Sequence, residues 1–198
     1  NDNRPDIYVS NDFFERDYLY INQGNGTFSE EGKSWMGHMS LASMGADMAD
    51  INNDGLPEIF TTEMLPETQV LIKQKLQFED YNTQQLKIRR DFHNQFMHNA
   101  LQLNTGENSF KEIAWYAGVA QSDWSWGALM FDADLDGYND ILVCNGIFQD
   151  VTDADFMDFF ANDVVQRMVL TGKKDKMENI LLKMPSNPQP NKLFINNR

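Results

Sequence analysis

Cysteine occurs once in the 198 residues, at Cys144. No disulfide can form within the chain, and cysteine usage selects no redox compartment. Positive charge is also scarce: 16 Lys+Arg stand against 30 Asp+Glu, a formal net charge of -14. That balance argues against nucleic acid and against an anionic membrane surface, because both are held by basic patches. It suits a protein that binds divalent cations. No apolar run approaches the roughly 18 residues of a membrane-spanning helix. There are three histidines, His38, His93 and His98. The last two are five apart, not the four of paired zinc ligands on one helix face, so all three read as surface or packing residues. No glycine-rich phosphate loop is present. An initiator methionine and a signal-like segment are missing as well, but the chain opens inside a repeated motif, so this says nothing about targeting. What is present is apolar material, 41% hydrophobic and 12% aromatic, which allows a real core. The length fits one ordinary domain or part of a larger one.

The next feature is a repeat. SMGADMADINNDGLPEIF (43–60) lies on SWGALMFDADLDGYNDIL (125–142) at an offset of 82. LYINQGNGTFSE (19–30) lies on LQLNTGENSFKE (101–112) at the same offset. NDNRPDIYV (1–9) resembles NNDGLPEIF, and KLFINN (192–197) resembles the start of LYINQG. Each unit reads as strand A, an acidic loop, strand B (IYVS, IFTT, ILVC), strand C (LYIN, LQLN, LFIN), an Asn/Gly turn and strand D (TFSE, SFKE). Alternating apolar residues and Gly/Asn turns predict short antiparallel strands. The chain then holds B-C-D, A-B-C-D and A-B-C. The expected fold is mainly β: a partial propeller of about three four-stranded blades. The units divide as 1–35, 36–118 and 119–198. About three units cannot close a ring alone, so the rest of a longer array is an expected partner.

Two inserts separate strands B and C. Residues 64–98 are rich in helix formers. Residues 150–185 begin with a Thr152/Asp155 capping pair and a stripe of Phe156, Phe159, Phe160, Val164 and Met168 at helical spacing. That stripe predicts packing against the blades. A second short helix is expected near Asp175 to Lys183.

The acidic loops carry the chemistry. Asp132, Asp134, Asp136 and Asp140 occupy positions 1, 3, 5 and 9 of one loop, with Gly137 at position 6 for the sharp bend and the Tyr138 carbonyl at position 7. The other loop offers Asp50, Asn52, Asp54, the carbonyl of Leu56, and Glu58. Hard oxygen donors in this number predict Ca²⁺, about two ions, in preference to Mg²⁺. A truncated third loop retains Asp2 and Asp6. An EF-hand is excluded: it needs a bidentate Glu at position 12 between helices, and Thr61 and Val143 stand there inside predicted strands.

The pattern Gly-x5-D-x-[ND]-x-D-G-x-x-[DE] before an apolar strand, carried by Gly45 to Glu58 and Gly127 to Asp140, resembles the FG-GAP/VCBS repeats of integrin-α-type β-propellers. GADMADINNDGLPEIF, TEMLPE, FHNQFMHNALQLN, DWSWGALMFDADLDGYNDILVCNGIFQDVTDADF and PNKLFINN together resemble secreted repeat proteins of the ASPIC/UnbV group. The resemblance implies a propeller, bound calcium and an extracellular, cell-surface or periplasmic location. Ser43 and Ser125 are equivalent repeat positions, which fits a structural role better than a nucleophile. Trp124 and Trp126 could stack on a sugar if exposed, with at least one expected between blades. The expected function is non-catalytic presentation of a surface to a protein or glycan partner. The alternative is a part of a secreted polysaccharide-acting enzyme.

Overall fold

The computed structural model describes residues 2–13, 15–76, 79–172 and 181–197, without the side chains of Phe159 and Ala161. In chain order the first unit supplies β1 (Ile7–Val9), β2 (Tyr18–Asn22) and β3 (Phe28–Glu30), followed by a one-turn helix α1 (Gly32–Trp35). Next come β4 (Met39–Ser40), β5 (Ala46–Ala49), β6 (Glu58–Thr61), helices α2 (Gln69–Lys75) and α3 (Tyr81–Arg89), β7 (Gln95–Phe96), β8 (Ala100–Asn104), β9 (Phe110–Glu112) and the one-turn α4 (Ala114–Ala117). The last part holds β10 (Ser125–Phe131), β11 (Asp140–Asn145), a π-helical turn (Phe156–Ala161), α5 (Asn162–Thr171) and β12 (Lys192–Phe194).

The main sheets run β1-β2-β3, β5-β6-β8-β9 and β10-β11-β12, and every pairing in them is antiparallel. That is B-C-D, A-B-C-D and A-B-C. The sheets are open, and the architecture is consistent with a partial propeller-like repeat. Apolar layers fill the space between consecutive units. Leu19, Met36, Met39, Ile59 and Phe110 form one layer. Phe60, Leu101, Val119, Met130, Ile141 and Val143 belong to the other. β6 sits between both layers, and all four of its residues are buried. Side chains of this kind each contribute about 1.5–3 kcal/mol when fully buried.

Both inserts carry helices, α2 and α3 in the first, the π-helical turn and α5 in the second. Thr68 caps α2 by accepting from Leu71 N at 3.3 Å, and Asp80 caps α3 by accepting from Asn82 N and Thr83 N at 2.7 and 3.0 Å. The second insert differs from the expected Thr152/Asp155 pair. Asp153 accepts from Phe156 N at 2.7 Å, while the Thr152 hydroxyl turns back to Asp150. Asp is a stronger cap and sits one residue closer to the first turn. Phe156 and Val164 are buried, and the Phe156 and Phe160 rings lie 5.0 Å apart within the insert. The expected helix at 175–183 falls largely outside the described residues. The two inserts are joined by a buried ion pair, Lys75 Nζ to Asp150 Oδ2 at 2.8 Å.

Candidate metal centre

The two acidic loops adopt one geometry. Asp50 accepts from Asp54 N at 3.1 Å and Gly55 N at 2.7 Å; Asp132 accepts from Asp136 N at 3.0 Å and Gly137 N at 2.9 Å. Position 3 also accepts from the position-5 N–H: Asn52 at 3.0 Å and Asp134 at 3.2 Å. Asp54 and Asp136 in turn accept from Leu56 N and Tyr138 N at 2.8 and 2.9 Å. Positive φ at position 6 is met by glycine, +86° at Gly55 and +91° at Gly137. The loop turns so tightly because each carboxylate gathers the amides two to five residues ahead.

Position 9 has a further task. Glu58 is buried, and its two oxygens accept from Ile51 N at 3.0 Å and Asn104 N at 3.3 Å. Asp140, also buried, accepts from Ala133 N at 2.9 Å and Asn196 N at 2.8 Å. In the first unit Asp6 accepts from Asn22 N at 2.8 Å. The position-9 acid thus ties the loop to the end of strand C in all three units. Burial, then Asp54 and Asp50, push Glu58 above its ordinary value against the pull of those two amides. In the truncated loop Asp2 accepts from Arg4 N at 3.0 Å, as Asp54 does from Leu56, and its other oxygen pairs with the Arg4 guanidinium.

Asp132, Asp134 and Asp136 each place a carboxylate oxygen within 4.8 Å of the other two. Oxygens on opposite sides of a Ca²⁺ at about 2.4 Å are about 4.8 Å apart, so the set matches that ion's span. Like charges at this spacing repel by roughly 1–3 kcal/mol per pair, which a cation would reverse. In the other loop Asn52 replaces Asp134, and its amide donates to Asp54 at 3.0 Å. The loops also touch. Asn53 Nδ2 donates to Gly137 O at 2.9 Å, Asn139 Nδ2 to Asp50 O at 2.8 Å, and Asn196 Nδ2 to Ile51 O at 2.7 Å.

Position 4 is strained in one loop. Leu135 has φ +65°, the left-handed region, where the equivalent Asn53 has +60°. Asparagine tolerates that region and leucine does not. Leu135 is 87% exposed, so little packing offsets the strain. Leu135→Asn is expected to raise unfolding stability by about 1 kcal/mol, read as a higher urea midpoint at unchanged slope.

His93 and His98 do not meet: His93 Nε2 lies 3.0 Å from Met36 O, while the His98 ring faces His38 at 5.6 Å. Ser43 and Ser125 are buried, bonded to Asp17 and Ser122 at 2.8 and 2.7 Å, as structural residues are. Trp126 is half exposed, Trp124 partly buried, with ring centroids 6.2 Å apart.

Residues 1–61 match the family model described as FG-GAP-like repeat. The match takes in the first unit and ends at Thr61, the end of β6, so it includes one complete acidic loop. No curated protein matches the chain. No helix among the described residues is long and apolar enough to cross a membrane.

Proposed function

We propose that this chain is a calcium-binding propeller-repeat region of an ASPIC/UnbV-type protein, working outside the cytoplasm and presenting a surface to a protein or glycan. The ions are structural, the region is not itself an enzyme, and further blades of the same array are its nearest partners. The observation that carries this reading is the repeated loop: two chain segments 82 residues apart make the same backbone hydrogen bonds, and in one of them Asp132, Asp134 and Asp136 converge on a span that fits one Ca²⁺. The need for further blades is supported by β10, whose Ala128 and Met130 are buried while Trp126, Leu129 and Phe131 stay exposed. An uncovered apolar strand face is where another sheet packs.

A thermal melt in EDTA, then millimolar Ca²⁺, then Mg²⁺ tests it. At 100 times its dissociation constant each Ca²⁺ stabilises by about 2.7 kcal/mol, a shift of several degrees. The shift is expected to be larger with Ca²⁺ than with Mg²⁺ and to vanish in the Asp50→Ala, Asp132→Ala double variant. Equal midpoints in EDTA and Ca²⁺ would leave the loops as plain acidic turns and remove the calcium reading.

A further inference from the structure

We propose that His38, His98 and Glu112 bind a divalent transition metal, with zinc's ligand preferences, in the wall of a large cavity, leaving one coordination position open to that cavity. The site is separate from the acidic loops and does not rest on the calcium reading.

The fold brings the three residues together from distant parts of the chain. His38 immediately precedes β4 and His98 closely follows β7, and these strands pair in parallel, Met39 with Gln95 and Ser40 with Phe96. Ser40 Oγ fixes the His98 carbonyl at 2.7 Å, and Gln102 Nε2 holds the His38 carbonyl at 2.8 Å. Glu112 ends β9. One donor atom from each residue lies within 4.8 Å of the other two, and His38 Nε2 is 3.4 Å from Glu112 Oε2. Zinc bonds of about 2.0–2.2 Å in a tetrahedron set ligand atoms about 3.4 Å apart, so that edge is already in place and the third ligand needs a small closure.

The protonation states suit a metal. His98 Nδ1 lies 2.6 Å from the Asn99 carbonyl. A carbonyl only accepts, so Nδ1 carries the hydrogen and Nε2 keeps its lone pair, the backbone-fixed tautomer found behind metal-bound histidines. Glu112 is oriented in the same way: Oε1 accepts from Leu101 N at 3.1 Å and Ala114 N at 2.7 Å, which leaves Oε2 for the site.

The repeat itself shows what has changed. At the same offset of 82, Leu19, Glu30 and Gly32 of the first unit correspond to Leu101, Glu112 and Ala114. Glu30 makes the same two backbone bonds, to Leu19 N at 3.2 Å and Gly32 N at 2.8 Å. Its other oxygen is neutralised by Arg16 at 2.5 Å. Arg16 corresponds to His98. A purely structural pair is best served by the fixed, forked guanidinium. The second unit has given that up for an imidazole, added His38 from another segment, and left a carboxylate with 5% exposed side chain. Among the described residues its only ion-pair partner is His38. A buried carboxylate facing two imidazoles lacks a permanent counter-charge, and a divalent ion supplies one.

All three residues line one cavity of about 970 Å³, with Ile72 of α2, Leu76 just past its end and the rings of Phe96 and Trp115 on its other walls. Three protein ligands with a fourth position open to such a space is the arrangement of an exchangeable zinc site, whereas a structural site is closed by four. Two neutral imidazoles and one carboxylate leave the bound ion with a net charge of +1. The open position therefore favours an anionic oxygen donor such as a carboxylate, with the apolar walls holding its body.

Calorimetric titration with Zn²⁺ in saturating Ca²⁺, with the acidic loops filled, tests the site. One equivalent is expected to bind, and Co²⁺ in its place to give the intense visible absorption of four-coordinate cobalt. His38 is partly exposed, so His38→Ala folds; His98→Arg rebuilds the ion pair of the first unit and is expected to melt cooperatively. Both should weaken Zn²⁺ binding at least about a hundredfold. Should His98→Arg fail to fold, Glu112→Gln, which keeps an oxygen for the two backbone amides, takes its place with the same expectation. No Zn²⁺ uptake in saturating Ca²⁺, or unchanged affinity in any folded variant, overturns the proposal.

Discussion

Gly45→Ala is expected to cost about 3 kcal/mol or more, while Gly127→Ala, the same repeat position one unit later, changes stability by less than about 1 kcal/mol. The difference is in what each glycine faces. A Cβ on Gly45 would lie 2.4 Å from the Trp126 carbonyl oxygen and 3.1 Å from Ala128 N, backbone atoms of β10. The two strands would have to part, and the interlocking of consecutive units would be lost with them. A Cβ on Gly127 meets the Cys144 side chain, Cβ at 3.5 Å and Sγ at 3.8 Å, both ordinary contacts. Urea unfolding of the two variants side by side decides the matter. Equal losses would mean that glycine is needed for backbone conformation and not for close approach.

Glu63→Gln should produce a large pH-dependent change in stability. Glu63 is fully buried two residues beyond β6, and burial raises its pKa from 4.5 to about 8 against the hydrogen bonds of the Met64 and Ala42 amides. The folded protein keeps this carboxyl protonated where the unfolded chain has lost the proton. The penalty is absent below pH 4.5, builds up between 4.5 and 8, and is constant above. Over that window it reaches roughly 5 kcal/mol. Glutamine cannot ionise but leaves a buried amide to satisfy, a cost of about 1–3 kcal/mol at every pH. The two stability curves should therefore cross: wild type is the more stable near pH 4.5, the variant near pH 8. Unfolding free energies at pH 5, 6.5 and 8 test this, and parallel curves would rule out the titration of Glu63.

Glu63 also marks the limit of what the repeat made legible. Strands A to D could be read because their signals are local: alternation over four residues, a glycine bend, and a turn of Asn and Gly. The offset of 82 placed Asp50 opposite Asp132 and Glu58 opposite Asp140, and both loops share the same backbone hydrogen bonds and glycine bend. The tie from Glu58 and Asp140 to Asn104 and Asn196 was not readable, since it joins residues 46 and 56 positions apart. The same holds for α1 and α4, four residues each, which no periodicity can signal. They are anchored by Glu30 and Glu112 reaching forward to Gly32 N and Ala114 N. Thr152 and Asp153 competed for one helix start, and spacing alone favoured the wrong one. His38 and His98 were separated by 60 residues and an insert. The parallel pairing of β4 and β7 joins them, and two-residue strands leave no trace in a sequence. The clue that existed was the alignment itself, carried three residues further back, where arginine meets histidine.

The bonds from Asn53 to Gly137 and from Asn139 to Asp50 have a thermodynamic consequence. Each acidic loop grips the backbone of the other, so neither can be rearranged by an ion without moving its neighbour's anchor. On the calcium reading proposed above, two sites joined in this way are linked, and linkage is reciprocal: whatever factor the first ion imposes on the second, the second imposes on the first. The seam between the second and third units would then respond to calcium as a single switch, its stiffness set by a joint occupancy that neither loop determines alone.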